Sequence, residues 1–166
     1  MTSEECKVVI TCSGLGSRLG EYTEYTNKSL VRVGKKAVIS HIIDNYPSGT
    51  SFVITLGHYG DHVKQYINIA HPEAKVEFVN VNNYRGKGSS LGRSLYSVKD
   101  VIGSSFIFNA CDTITDGIIP SNDENNKLWV VPSKNNSSSY RTVQCTGLSI
   151  GSILEKGESV SNSPVY

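Results

Sequence analysis

The chain lacks the marks of several large protein classes. Lysine and arginine number 16 against 15 aspartates and glutamates, a formal net charge of +1. That balance excludes the broad basic surface by which nucleic acid or an anionic membrane is held. Apolar runs end after a few residues, far short of the ~20 that a bilayer-crossing helix needs. The opening Met1-Thr2-Ser3-Glu4-Glu5 has neither the basic nor the apolar region of a signal peptide, so a cytoplasmic location is expected. Cysteine is sparse too. Cys6, Cys12, Cys111 and Cys145 form no C-x-x-C pair, which predicts free, mostly buried thiols in a reducing cytosol. His41, His58, His62 and His71 share no ligand spacing and read as packing or surface residues, His58 being the one placed to line a pocket. Internal repeats and long linkers are also missing, and 166 residues suit one domain with a real core.

What is present is a regular alternation. Short apolar runs at Lys7–Thr11, Ser51–Leu56, Val76–Val81 and Ser105–Cys111 read as strands. Between them, Ala37–Tyr46, Asp61–Ala70 and Ser90–Ile102 carry apolar residues at helical spacing. Strands alternating with helices of about ten residues predict an α/β fold: an open, mostly parallel sheet with helices on both faces. Beyond Asp112 the pattern weakens. Pro120–Lys127 and Pro132–Thr142 read as polar loops, and Leu128–Val131 and Thr142–Ser149 as candidate strands. Arg32, Lys35 and Lys36 read as a solvated turn.

Immediately after the first strand comes TCSGLGSRLG, Thr11 to Gly20. Its glycines permit a tight turn whose successive N–H groups can converge on an anion, and Arg18 adds a fixed positive fork. Two standard phosphate loops do not fit. A dinucleotide fingerprint counted from Gly14 and Gly16 requires a third glycine where Leu19 stands, which speaks against a dinucleotide oxidoreductase. A P-loop fails at the same residue.

Read through to Leu30, SGLGSRLGEYTEYTNKSL resembles the signature of the nucleotidyltransferases that activate sugar phosphates and phosphocholine. In that family G-x-G-[ST]-R-L is followed by a spaced proline and threonine, then a proline-lysine pair and a leucine. Gly14, Gly16, Ser17, Arg18, Leu19, Thr23, Lys28 and Leu30 fall in register, while Glu21 and Asn27 replace the family's prolines. Loss of those prolines is expected to loosen the segment without removing a functional group. Further stretches are similar in order: VRVGKKAVISHIID, ITLGHYGDHVKQYI, GKGSSLGRSL and FIFNACDTI. The likeness covers about the first 115 residues, the family's N-terminal nucleotide-binding portion.

The resemblance implies a Rossmann-like nucleotidyltransferase domain over residues 1–166, with 1–115 the nucleotide-binding half and 116–166 the start of an acceptor-binding part. It implies transfer of a nucleoside monophosphate from a triphosphate, CTP being favoured, to a sugar 1-phosphate or phosphocholine-like acceptor, with pyrophosphate released, in surface polysaccharide or related biosynthesis. Ser13, Gly14, Leu15, Gly16, Ser17 and Arg18 would cradle the triphosphate, and Gly88 and Ser89 would approach the base. Arg18 would neutralise pyrophosphate, Lys28 the transferring or acceptor phosphate, and Asp112 would hold Mg²⁺, with Asp116 a weaker second acidic candidate. Gly88 is expected to be small so that the base can come close. A uridylyl-, thymidylyl- or guanylyltransferase of the same fold, or a non-catalytic nucleotide-binding module, stands as the alternative. Val165-Tyr166 falls where the family continues into another strand, so the favoured reading is a C-terminally truncated domain, against a domain completed by another chain or a nucleotide-binding remnant without turnover, with a homo-oligomer or fusion to a further domain left open.

Overall fold

The computed structural model describes residues 6–116, 125–130, 141–155 and 157–158. The chain divides into two compact units, Met1–Asn122 and Asp123–Tyr166.

The first unit is built on four parallel strands: β1 (Lys7–Thr11), β4 (Ser51–Leu56), β5 (Lys75–Asn80) and β6 (Phe106–Ala110), in the spatial order β5-β4-β1-β6. The two central strands are buried almost end to end, which is why their sequences run apolar without alternation. Val8, Ile10, Phe52 and Ile54 meet one layer, formed by α1 (Val38–Asp44) and α2 (Gly60–Ala70) through Ile39, Ile42, Val63 and Ile67. Val9 and Val53 pack on the opposite face with Leu95 of α3 (Leu91–Tyr96) and with Val98 and Ile102. Each fully buried isoleucine contributes about 1.5–3 kcal/mol by leaving water. The expected α/β architecture, parallel sheet with helices on both faces, is therefore the observed one.

Several boundaries differ from expectation. The helix read over Ser90–Ile102 regularises only at Leu91–Tyr96, and Val98 and Ile102 occupy turns that still bury them. Two 3₁₀ segments, Ser17–Thr23 and Lys28–Leu30, lie in the signature region, where no apolar period announced them. Arg32–Val33 (β2) and Lys36–Ala37 (β3) form a two-stranded hairpin, so the basic group does sit in a turn, with Arg32 donating to the Lys35 carbonyl at 3.1 Å.

On the outer side of the sheet α1 and α2 are joined by a polar cluster. The Ser40 hydroxyl lies 2.8 Å from the Tyr66 hydroxyl and 2.8 Å from His71 Nε2, and His71 Nδ1 is 3.6 Å from Asp44, which also pairs with Lys36. The connectivity is that of a serine-hydrolase triad. Ser40, however, is 3% exposed and shares its hydroxyl with Tyr66, so the cluster clamps two helices. His41 likewise spends its ring on the Val33 carbonyl.

In the second unit β7 (Thr142–Thr146) and β8 (Ser149–Leu154) form an antiparallel hairpin with a register shift between Gln144 and Cys145. The single strand expected over Thr142–Ser149 breaks at Gly147, whose φ of +60° suits a tight hairpin turn. Leu128–Val130 have no regular structure, so that candidate strand is not formed among the described residues. Most of the polar stretches at 120–127 and 132–142 lies outside the described residues, as do 159–166.

Candidate nucleotide site

In an open parallel sheet, ligands gather beyond the carboxyl ends of the strands, where the strand order reverses. Here that point lies between β1 and β6, because the chain leaves β1 toward β4 and β5 on one side and later returns to pair β6 on the other. The glycine loop emerges from β1 at this point, and Asp112 follows β6.

The loop is held at its two ends and open between them. Ser13 is buried, its hydroxyl 2.7 Å from that of Ser94 and its carbonyl accepting the His58 N–H at 3.1 Å. Among the described residues, no backbone N–H from Gly14 to Arg18 donates to another group. Leu15, Ser17 and Arg18 are exposed, and Arg18 makes no ion pair or hydrogen bond among the described residues. Gly16 takes φ +69°, and a Cβ there would come within 3.0 Å of both Lys28 Cβ and Thr23 Cγ2. Only glycine lets the loop lie against Lys28 in this way. Thr23 closes the turn, its hydroxyl donating to the carbonyls of Gly16 at 3.1 Å and Gly20 at 3.2 Å.

Lys28 and Asp112 meet across 84 residues of sequence, Nζ to Oδ2 at 3.0 Å. Burial works against the Lys28 charge, but the neighbouring Cys111 sulfur and the Asp112 carboxylate outweigh it and hold its pKa above the ordinary lysine value. Behind them Cys12 and Cys111 are fully buried at the ends of β1 and β6. The hydrogen bond between these thiols, together with burial, raises Cys12 well above the usual cysteine pKa. The same bond, with the Lys28 charge, lowers Cys111 against the opposing effect of its burial.

The Asp112 side chain is 54% exposed, and among the described residues no group of three or more His, Cys, Asp or Glu converges. One accessible carboxylate matches Mg²⁺, which keeps several waters and shares phosphate oxygens. It does not match a closed structural zinc site. Asp116 is exposed.

Gly88 and Ser89 sit in an exposed loop ahead of α3, where the Ser89 N–H and hydroxyl bond the Gly86 carbonyl at 3.2 and 2.8 Å. Gly88 has φ +90°, a backbone conformation that favours glycine, and no protein atom within 4 Å of an added Cβ. Among the described residues no hydrogen bond or ion pair joins this loop to Lys28 or Asp112. His58 does line a cleft, with Leu15, Ser17, Glu21 and Glu24.

One residue with no assigned role proves central. Asn27 is fully buried, not a loose replacement for proline. Its Nδ2 donates to the carbonyls of Cys12 at 2.7 Å and His58 at 2.6 Å, and its Oδ1 accepts from the N–H and hydroxyl of Ser29 at 3.0 and 2.9 Å. The segment is tied, not loosened. Only its place one residue before Lys28 hinted at this in the sequence.

No family model matches the chain. It is 30% identical over 115 residues to a probable glucose-1-phosphate cytidylyltransferase of Bacillus subtilis (strain 168), taking in 68% of this chain and 42% of that protein. The CTP:phosphocholine cytidylyltransferase of Streptococcus pneumoniae is similar in structure at a TM-score of 0.55 and 28% identity, over 65% of this chain and 45% of that one. The chain matches the nucleotidyltransferase superfamily. The match covers the superfamily's N-terminal portion, and this chain spans less than half the length of either relative. A putative glucose-1-phosphate thymidylyltransferase of Bacillus anthracis, at 19% identity and a TM-score of 0.71 over 96% of this chain and 68% of that one, shares the superfamily fold. Among the described residues no helix is long and apolar enough to cross a membrane.

Proposed function

We propose that this chain supplies the nucleotide-binding part of an Mg²⁺-dependent nucleotidyltransferase of the cytoplasm, with residues 116–166 beginning its acceptor-binding part. The reaction transfers CMP from CTP to a sugar 1-phosphate or a phosphocholine-like acceptor, for surface polysaccharide or a related product. The observation that carries this reading is the Lys28–Asp112 pair beside an open glycine loop at the switch point of the sheet. The choice of CTP is supported by the two relatives above, both cytidylyltransferases.

The chemistry needs no protein nucleophile. An acceptor phosphate oxygen attacks the α-phosphorus, the α–β bridging P–O bond breaks, and the electron pair leaves with pyrophosphate. Positioning and charge neutralisation supply the rate. The unpaired N–H groups of Gly14 to Arg18 receive the β and γ oxygens, and the Arg18 guanidinium balances the departing charge. Lys28 lies against the α-phosphate or the acceptor phosphate. Asp112 would hold Mg²⁺, whose contribution when bound is to offset charge on the phosphate oxygens. The Lys28–Asp112 ion pair is partly exposed and worth at most about 1 kcal/mol, so a magnesium triphosphate can exchange it.

The test is pyrophosphate release from CTP, UTP, GTP, ATP and dTTP, each with Mg²⁺ and either glucose 1-phosphate or phosphocholine. CTP with one acceptor is expected to turn over, and Lys28→Ala to lose about 100-fold, the usual worth of one preorganised charge. Turnover unchanged by Lys28→Ala would refute the assignment of the site. Triphosphate binding without turnover for any pair would favour a binding module.

A further inference from the structure

We propose that Asn27 is a positioning residue for Lys28, fixing the backbone from which that ammonium reaches Asp112. The inference rests on the role given to Lys28 above. A primary amide offers two donor hydrogens and one oxygen with two lone pairs. At Asn27 all four are engaged: two carbonyls on the nitrogen, and the N–H and hydroxyl of Ser29 on the oxygen. The orientation is forced. A flipped amide would set its oxygen against two carbonyl oxygens and its NH₂ against the Ser29 N–H.

The two carbonyls belong to Cys12, directly after β1, and to His58, two residues after β4. These are the two central strands, the most deeply buried of the sheet. On the other side, Asn27 caps the 3₁₀ turn that contains Lys28, accepting Ser29 N–H by its side chain and Leu30 N–H by its carbonyl at 2.9 Å. Lys28 Cβ also abuts Gly16. The lysine stem is thus fixed from the sheet, from the turn and from the glycine loop before its own four rotatable bonds begin. A misplacement of 1 Å can cost a phosphoryl-type reaction about 100-fold, so such anchoring acts on rate more than on affinity.

A double-mutant cycle separates positioning from general support, because it reads whether Asn27 acts through Lys28. Wild type, Asn27→Ala, Lys28→Ala and the double variant are assayed for kcat and KM with the best nucleotide and acceptor pair, and for melting temperature. Asn27→Ala is expected to lower kcat by roughly 30-fold or more while triphosphate KM stays within about threefold. In the Lys28→Ala background the same change should cost less than about twofold. Losses that multiply overturn the proposal, as does Asn27→Ala with kcat close to wild type. Where Asn27→Ala does not fold, Asn27→Asp takes its place, since it keeps the acceptor for Ser29 and removes both carbonyl ties. A wild type without turnover counts against the catalytic reading alone. The cycle is then read on the Kd of the triphosphate that raises the melting temperature most: a weakening by Asn27→Ala of up to about threefold that disappears in the Lys28→Ala background supports the role of Asn27, and a loss of the same size in both backgrounds overturns it.

Discussion

Residues 14–20 and 27–30 belong to one signature, yet they are built in opposite ways. The glycine loop leaves its central N–H groups and Arg18 without partners among the described residues. Seven residues later, Asn27 and Ser29 are fully buried and bonded to each other, and Asn27 also bonds the carbonyls of Cys12 and His58 beyond two strands. An anion-binding loop must keep its donors for the ligand, whereas a segment that aims a charge must spend its polar groups on the protein itself. Lys28 stands where the two meet, with Gly16 against its Cβ and Asn27 before it.

Three substitutions sharpen or break this contrast. The largest effect is expected at Gly57, the turn after β4, where an added Cβ would stand 2.5 Å from the Ser13 carbonyl oxygen and 2.8 Å from Tyr84 Cγ. Gly57→Ala should lose about 3 kcal/mol in denaturant unfolding and nucleotide binding with it, since backbone must move. Stability within about 0.5 kcal/mol of wild type, the ordinary tolerance of a surface position, would show that the loop is not braced from that turn. Next, Arg18→Ala should cost about 100-fold in turnover or triphosphate affinity with almost no change in melting temperature. A clear drop in melting temperature would mean that the loop is part of the folded framework, and the contrast would fail. The smallest is Ser29→Ala, which should cost about 1 kcal/mol of stability and leave triphosphate affinity within about twofold, because it removes one of two bonds to the Asn27 oxygen. An affinity loss as large as that of Arg18→Ala would put Ser29 among the ligand contacts.

Much of this was legible in the chain of letters. Apolar runs too short for a membrane, alternating with helical periods, announce a parallel α/β sheet because strands buried on both faces need no alternation. The register of Gly14, Gly16, Arg18 and Lys28 marks the loop, since only small, basic and flexible residues suit a phosphate cradle. The 3₁₀ segments escaped notice because their three-residue turns carry too few side chains for a period to show. The shortened α3 was hidden because Val98 and Ile102 bury just as well from turns as from a helix.

By itself the sequence determined the strand and helix alternation, the position of the glycine loop and the identity of the charged residues. These are local properties, set by side-chain period and backbone freedom. Tertiary structure alone decided that Lys28 meets Asp112, that Gly57 has no room for a side chain, and that Asn27 is a filled hub and not a weakened proline. Each of those depends on groups brought together from distant parts of the chain by the β5-β4-β1-β6 order, and hydrogen-bond partners and clearances of that kind leave no periodic trace in a sequence.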